Sequence, residues 1–248
     1  MLVAAAVCPH PPILVPALAG EAAPELDGLR AACDAAVRGV TGCDADAVVV
    51  VGGAPETRAH GPDAYATLRP FGLDWTVPAS PRPGAEPLPL SLTIGRWLLE
   101  RQDPGAGARY EAIAFDAPPE ECLSLGRRIA ASAGRVALLV MGDGSACRSE
   151  KAPGYLDPRA RPHDEAVARA LGSADAAALA ALDPGLSREL LAAGRAAWQV
   201  LAGAAGQGAG GGRTANEEGG LTAALLADEA PYGVGYLVAA WSRTGHGC

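Results

Sequence analysis

Five short runs along the chain are rich in Val, Leu, Ile and Ala: Leu2–Cys8, Ala47–Gly52, Ala112–Phe115, Val136–Met141 and Val234–Trp241. Four of them are almost wholly apolar and lack the period-two alternation of a half-exposed strand. That pattern predicts strands buried on both faces of a covered sheet. The intervening segments carry a helical period. Glu21–Val40 places Leu26, Leu29, Cys33, Ala36, Val37 and Val40 three or four residues apart, on one face. Leu90–Arg101, Pro119–Ala133, Ser187–Leu201 and the shorter Asp164–Leu171 read the same way. Pro118 and Pro119 stand at the start of their helix, where proline is tolerated. Strands alternating with helices predict an α/β layer structure with helices on both faces of a central sheet. With no repeat and no clear linker, one domain over residues 1–248 is expected.

Two stretches depart from the alternation. Gly53–Pro89 is rich in proline and glycine, and predicts a surface excursion with room for a strand pair near Trp75–Val77. Gly203–Gly220 contains GAAGQGAGGGRTANEEGG. It follows a helix rather than a strand and lacks the Gly-Lys-Ser/Thr ending of a phosphate loop, so a flexible loop is expected.

Composition narrows the classes of function. A hydrophobic share of 49% over 248 residues supplies a core, and 19% charged residues do not suit a disordered chain. Only Lys151 among the 20 basic residues is a lysine, and the net charge is −8, so a nucleic-acid partner is not expected. No apolar run reaches the roughly 18 residues a membrane span needs, so no membrane partner is expected. The first residues lack the basic start of a secretory signal. The six cysteines form no CxxC pair. Free thiols in a reducing, cytoplasmic setting are the expectation.

Chemistry is sought where strands end, because ligands of open α/β sheets bind beyond the carboxyl ends of the strands. The first strand runs into Cys8-Pro9-His10-Pro11-Pro12, where the prolines fix the backbone around His10. A histidine so held serves either as metal ligand or general base, or simply caps the strand. The second strand runs toward His60, which is either a surface histidine or a ligand. A later strand runs into Gly142-Asp143-Gly144-Ser145-Ala146-Cys147-Arg148. That turn can form an anion nest or an Asx turn. Asp143 can orient an imidazole, and Ser145 and Cys147 are pocket candidates. Cys147 is either a nucleophile or soft metal ligand, or simply buried. The absence of a G-x-S-x-G elbow argues against a Ser145 hydrolase. Lys151–Arg159 suits a pocket wall or a crossover loop. His163 lies near a helix start, and His246 is in the tail. Glu229 either completes a His/carboxylate metal set or is an exposed acid following a helix.

Three segments together resemble the class III extradiol ring-cleavage dioxygenase superfamily, of LigB-type fold. They are Ala5-Ala6-Val7-Cys8-Pro9-His10-Pro11-Pro12-Ile13-Leu14-Val15-Pro16, Gly142–Arg159 and Pro231–Ala239. The resemblance implies one α/β domain with a central mixed sheet. It also implies a non-haem Fe(II) held by two histidines and a glutamate. By position it places His10 as the first metal histidine and Glu229 as the metal glutamate. Where the second metal histidine is expected the chain reads Gly52-Gly53-Ala54, and His60 is the nearest histidine. Where the acid–base histidine is expected stands Ala146. Two outcomes follow. One is a metal-dependent oxidoreductase using Fe(II) or another divalent metal on a small aromatic substrate. The other is a metal-free, catalytically degenerate relative that binds a small molecule or protein partner in the same cleft. A homo-oligomer is compatible with either.

Overall fold

The computed structural model describes residues 1–105, 107–206 and 220–243. His246, Cys248 and most of the Gly203–Gly220 stretch lie outside the described residues. In chain order the elements are β1 (Leu2–Cys8), α1 (Pro16–Ala19), α2 (Asp27–Thr41), β2 (Ala47–Ala54), β3 (Arg58–His60), β4 (Ala66–Thr67) and β5 (Thr76–Val77). There follow α3 (Leu90–Gln102), β6 (Arg109–Ala114), α4 (Pro119–Ala131), β7 (Val136–Met141), α5 (Ala160–Gly172) and α6 (Ala176–Ala180). The chain continues through α7 (Pro184–Glu189), α8 (Arg195–Ala205), β8 (Leu221–Glu229) and β9 (Tyr236–Arg243). Seven strands form one mixed sheet in the order β3-β6-β2-β7-β1-β9-β8, while β4 and β5 pair separately. Strands β6, β2, β7 and β1 run parallel, β3 and β9 join them antiparallel, and β8 pairs antiparallel with β9. The fold is α/β with helices on both faces. Among the described residues no helix is long and apolar enough to cross a membrane.

The unbroken apolar runs have a direct cause. Along β7, Val136, Leu138 and Val140 face one core, with α4, α5, α6 and α8. Ala137, Leu139 and Met141 face the other, with α2 and α3. All six residues are buried, so no position on this strand tolerates a polar side chain. Helix α2 follows its predicted stripe, with Leu29, Cys33, Ala36, Val37 and Val40 buried. Arg30 is also buried there. Its guanidinium pairs with Asp27 and donates to the carbonyls of Leu14 and Ala23, strapping the turns that follow β1 onto the helix.

Three expectations need correction. The single helix over Ser187–Leu201 is two helices, broken at Leu190–Gly194. The backbone groups of that break serve the loop after β7: Gly194 N–H donates to Asp143 O at 2.7 Å and Ala146 N–H to Leu190 O at 2.9 Å. Glu229 does not follow a helix but ends the edge strand β8. That strand reads LTAALLADE, in which Ala and Leu favour helix, and its hairpin pairing with β9 overrides the local preference. The Gly53–Pro89 excursion does contain the strand pair β4–β5, but it also supplies β3 to the main sheet.

Helices α4 and α8 touch at backbone distance. A Cβ at Gly126 would lie 2.0 Å from Val200 O, and one at Gly203 would lie 2.2 Å from Leu123 O. Alanine gains about 1 kcal/mol of helix propensity over glycine, but overpacking costs about 1–3 kcal/mol. Backbone atoms cannot swing aside as a side chain can. Gly203→Ala is therefore expected to lower the urea midpoint. Gly39→Ala in α2, with nothing within 4 Å of the new methyl, is expected to raise it. Equal shifts in the two variants would show that the α4–α8 contact is not tight.

Candidate functional site

Strand β1 delivers His10 to the carboxyl edge of the sheet beside the loop that follows β7. Gly142 N–H donates to Cys8 O at 2.9 Å, extending the parallel ladder one residue past the strands. His10 N–H then donates to Asp143 Oδ1 at 2.8 Å, and the imidazole Nδ1 lies 3.5 Å from the same oxygen. His10 is 6% exposed, and its Nδ1 has no hydrogen-bond partner among the described residues. Tyr236 begins β9 beside them. Burial, then the charge of Asp143, pushes its phenol well above the ordinary range, so it stays protonated.

The same loop is anchored from below by a buried charge. Asp164 of α5 is wholly buried. Its Oδ1 accepts from Ser145 N–H at 2.8 Å, and its Oδ2 accepts from the Arg148 guanidinium at 3.0 Å. His163 Nδ1 lies 3.2 Å from Asp164 Oδ1, and its Nε2 lies 3.3 Å from Ser187 Oγ. Gly144 N–H donates to Gly235 O, and Gly235 N–H donates to Ser145 O. The loop thus bonds to β9's approach, to α5 and to the α7–α8 break. Ser145 is wholly buried and its Oγ accepts from Cys147 N–H, so it faces no substrate. The Cys147 thiol points at the carbonyls of Leu190 and Gly154. Burial, then Asp157 and Asp164, raises its pKa and favours the unreactive thiol. The geometry gives no support to a hydrolase built on either residue.

The other proposed metal ligands lie apart from His10. Cys8, Met141, Gly52, Ala112 and Arg58 share one level across the sheet. His60 pairs with Tyr110, nearer the strands' amino ends, on the outermost strand β3. Four strand spacings separate β3 from β1, about 19 Å at roughly 4.8 Å each. Glu229 is exposed at the end of β8, two strands from β1, with its Oε1 over Gly28 of α2. Among the described residues no three His, Cys, Asp or Glu side chains are grouped to hold a metal ion. His10 and Asp143 alone offer at most two donors, so a two-histidine, one-carboxylate iron centre of His10, His60 and Glu229 does not fit. Ala146 is buried in the loop, where it carries no proton.

Apolar residues flank the loop and the end of β2. The Phe115 ring lies over Gly53, where a Cβ would come within 2.5 Å of it, and Ala193 O closes the other side. Leu191 packs on Gly154, next to Tyr155. Among the described residues, Phe115, Tyr155, Leu156 and Leu191 are four of the eight exposed large hydrophobic residues. Tyr155 at φ 60° and Leu191 at φ 54° are two of the three non-glycine residues in the left-handed region among the described residues. Non-glycine residues pay about 1–3 kcal/mol for that conformation, and such strain gathers at ligand sites. Lys151 is exposed and Arg159 pairs with Asp157 and Glu189, so the 151–159 segment forms a charged outer wall. Sequence reasoning named the Lys151–Arg159 segment that carries Tyr155 and Leu156 as a possible pocket wall, but missed Tyr236, Trp198, Asp164, Phe115 and Leu191. Among these, Asp164, directly after His163 at a helix start, left a signal.

The comparisons with known proteins agree with the fold and are silent on the chemistry. No family model matches the chain. Two Mycobacterium tuberculosis proteins, uncharacterized protein MT0513 of strain CDC 1551 and uncharacterized protein Rv0493c of strain H37Rv, are each 37% identical to it over 81 residues. The match covers 33% of this chain and 23% of each relative, so the chain spans less than a quarter of their length. The crystal structure of uncharacterized protein JW3007 from Escherichia coli K12 superposes with a TM-score of 0.55 at 16% identity. The superposition covers 97% of this chain and 99% of that one. At that identity the likeness is one of fold.

Removing Asp164 strands the Arg148 charge and the Ser145 N–H in the interior. Breaking a buried pair in this way costs about 3–5 kcal/mol. Asp164→Ala is expected to lose that much in urea unfolding, and Asp164→Asn less, because it keeps the acceptor for Ser145. The double variant Arg148→Met/Asp164→Leu should recover part of the loss. A loss under about 1 kcal/mol in Asp164→Ala would mean that water reaches the pair.

Proposed function

We propose that this protein binds a small, mainly apolar molecule, aromatic in class, at the carboxyl edge around His10 and Asp143. In this reading it is a metal-free, catalytically degenerate relative of the extradiol dioxygenases. The observation that carries the reading is where the partnerless polar atoms lie. Of the four buried side-chain atoms without a hydrogen-bond partner among the described residues, three belong to this loop cluster: His10 Nδ1, Arg148 Nε and Trp198 Nε1. Trp198 Nε1 lies 3.1 Å from the Cβ position of Gly142. Buried polar groups are nearly always paired, and clustered exceptions point to function. Exposed Phe115 over Gly53 and exposed Tyr155 and Leu191 about Gly154, the latter two at positive φ, match the composition of a small-molecule site, apolar with few polar groups. The separation of His60 and Glu229 from His10 argues for binding over iron-dependent ring cleavage. Buried cysteines that form no disulfide, among them Cys8, Cys33, Cys122 and Cys147, suit a reducing cytoplasmic setting.

Calorimetry with catechol and protocatechuate tests the binding, and iron analysis with oxygen uptake after anaerobic Fe(II) loading tests the chemistry. Binding of at least one diphenol is expected, with substoichiometric iron and no oxygen consumption. Phe115→Ala and Asp143→Asn should each weaken binding about tenfold, a loss of about 1.4 kcal/mol. Asparagine keeps the acceptor that holds His10 N–H, so the fold should survive that change. Stoichiometric iron with rapid oxygen uptake would replace this reading by the metal-dependent oxidoreductase. Absence of binding by either diphenol would remove the aromatic ligand.

A further inference from the structure

A cavity lies on the sheet edge away from His10, between β6, the outer strand β3 and helix α4. Its volume is about 450 Å³, within the range of small-ligand sites, about 300–1,000 Å³. Its apolar wall is aliphatic, from Val49, Leu125 and Ile129, and its polar side chains include Glu111, Arg109 and Arg128. These three charges do not neutralise one another by contact. Arg109 donates to Ser132 Oγ at 2.5 Å and Arg128 to Ser124 Oγ at 3.1 Å. Among the described residues neither guanidinium forms an ion pair, and the Glu111 carboxylate forms neither an ion pair nor a hydrogen bond. Arg58, also at the rim, is occupied by Glu86. Serine hydroxyls therefore orient two cations without consuming their charge, while a carboxylate stands unpaired in the same cavity.

We propose that this cavity binds a small zwitterion with an aliphatic body, the chemistry of a branched aliphatic α-amino acid. Its ammonium meets Glu111, its carboxylate meets Arg109 and Arg128, and its side chain lies on Val49, Leu125 and Ile129. A simple anion would face the Glu111 charge, and a simple cation would face both arginines. A molecule bearing both charges complements all three groups. Glu111 also costs the empty protein stability. Burial raises its carboxyl pKa more than Arg109 and Arg128 lower it. Its folded state therefore holds the proton more tightly than the unfolded chain, and the wild type loses stability as pH rises through that raised value. Glu111→Gln escapes the loss, so its unfolding midpoint should rise relative to wild type from acid to neutral pH.

The binding test is titration calorimetry on the full chain with L-leucine. The controls are 4-methylpentanoate, which lacks the ammonium, and 3-methylbutylamine, which lacks the carboxylate. Leucine is expected to bind, with each half-charged control weaker by tenfold or more, as loss of a charged hydrogen bond predicts. Glu111→Gln and Arg128→Gln should each weaken leucine binding by tenfold or more without a lowered unfolding midpoint. Three results would overturn the proposal: no leucine binding at tens of millimolar, a control that binds as well as leucine, or unchanged binding in both variants.

Discussion

The constraint on which the rest of the structure depends is the double burial of the parallel pair β1 and β7. Residues on both faces of these strands meet helices, so the strands can carry no polar side chain. Every polar group they bring to the middle of the molecule must leave at their carboxyl ends. There the ladder does not stop with the apolar residues. Gly142 N–H continues it to Cys8 O, and Asp143 closes it on His10 N–H. A carboxylate in place of a carbonyl ends the ladder and puts a charge beside an imidazole. Chemistry at this edge is thus a consequence of how the sheet terminates.

Such a loop needs support, because it carries many backbone groups out of the sheet and keeps them from water. Asp164 supplies it from beneath. One carboxylate serves a backbone N–H and a guanidinium, and the adjoining His163 links the same cluster to Ser187 on α7. A buried ion pair is weak evidence for stability in itself, since apolar replacements often do as well. What this one adds is position. It holds Ser145 and Arg148, and through them the turn that presents Asp143. The break between α7 and α8 has the same origin. A continuous helix would spend the groups of Leu190–Gly194 on itself, whereas the break leaves Leu190 O for Ala146 N–H and Gly194 N–H for Asp143 O.

What could be read from the sequence follows these physical lines. Strands β1 and β7 were legible to the residue, because burial on both faces writes an apolar run with sharp ends. Helices α2, α3 and α4 were legible within a few residues at most boundaries. Strand β8 was not, because it lies at the exposed edge, where Leu225 and Leu226 need no alternation and where pairing with β9, not composition, makes the strand. The helix break was hidden because its cause lies in a loop some fifty residues earlier. His10 and Asp143 could be named from strand ends alone. Their separation from His60 could not, since it depends on strand order, and β3 pairs with β6 rather than beside β1.

Strand order also separates fold from chemistry here. A facial metal triad asks three side chains to reach one point within about 2 Å each. A sheet whose neighbouring strands stand about 4.8 Å apart supplies such a point only from adjacent strand ends. In this chain β2 lies two strands from β1 and ends in Gly52-Gly53-Ala54. Both glycines are required where they stand. A Cβ at Gly52 would meet Ser91 Oγ at 2.5 Å, and one at Gly53 would meet the Phe115 ring at the same distance. Ser91 in turn donates to Gly53 O at 2.7 Å. A histidine at either position would have to displace Ser91 or Phe115. The sheet end that a second metal histidine would need is therefore committed to packing α3 and the aromatic rim. The residues that fill that space leave no room at the end of β2 for a metal-ligating histidine.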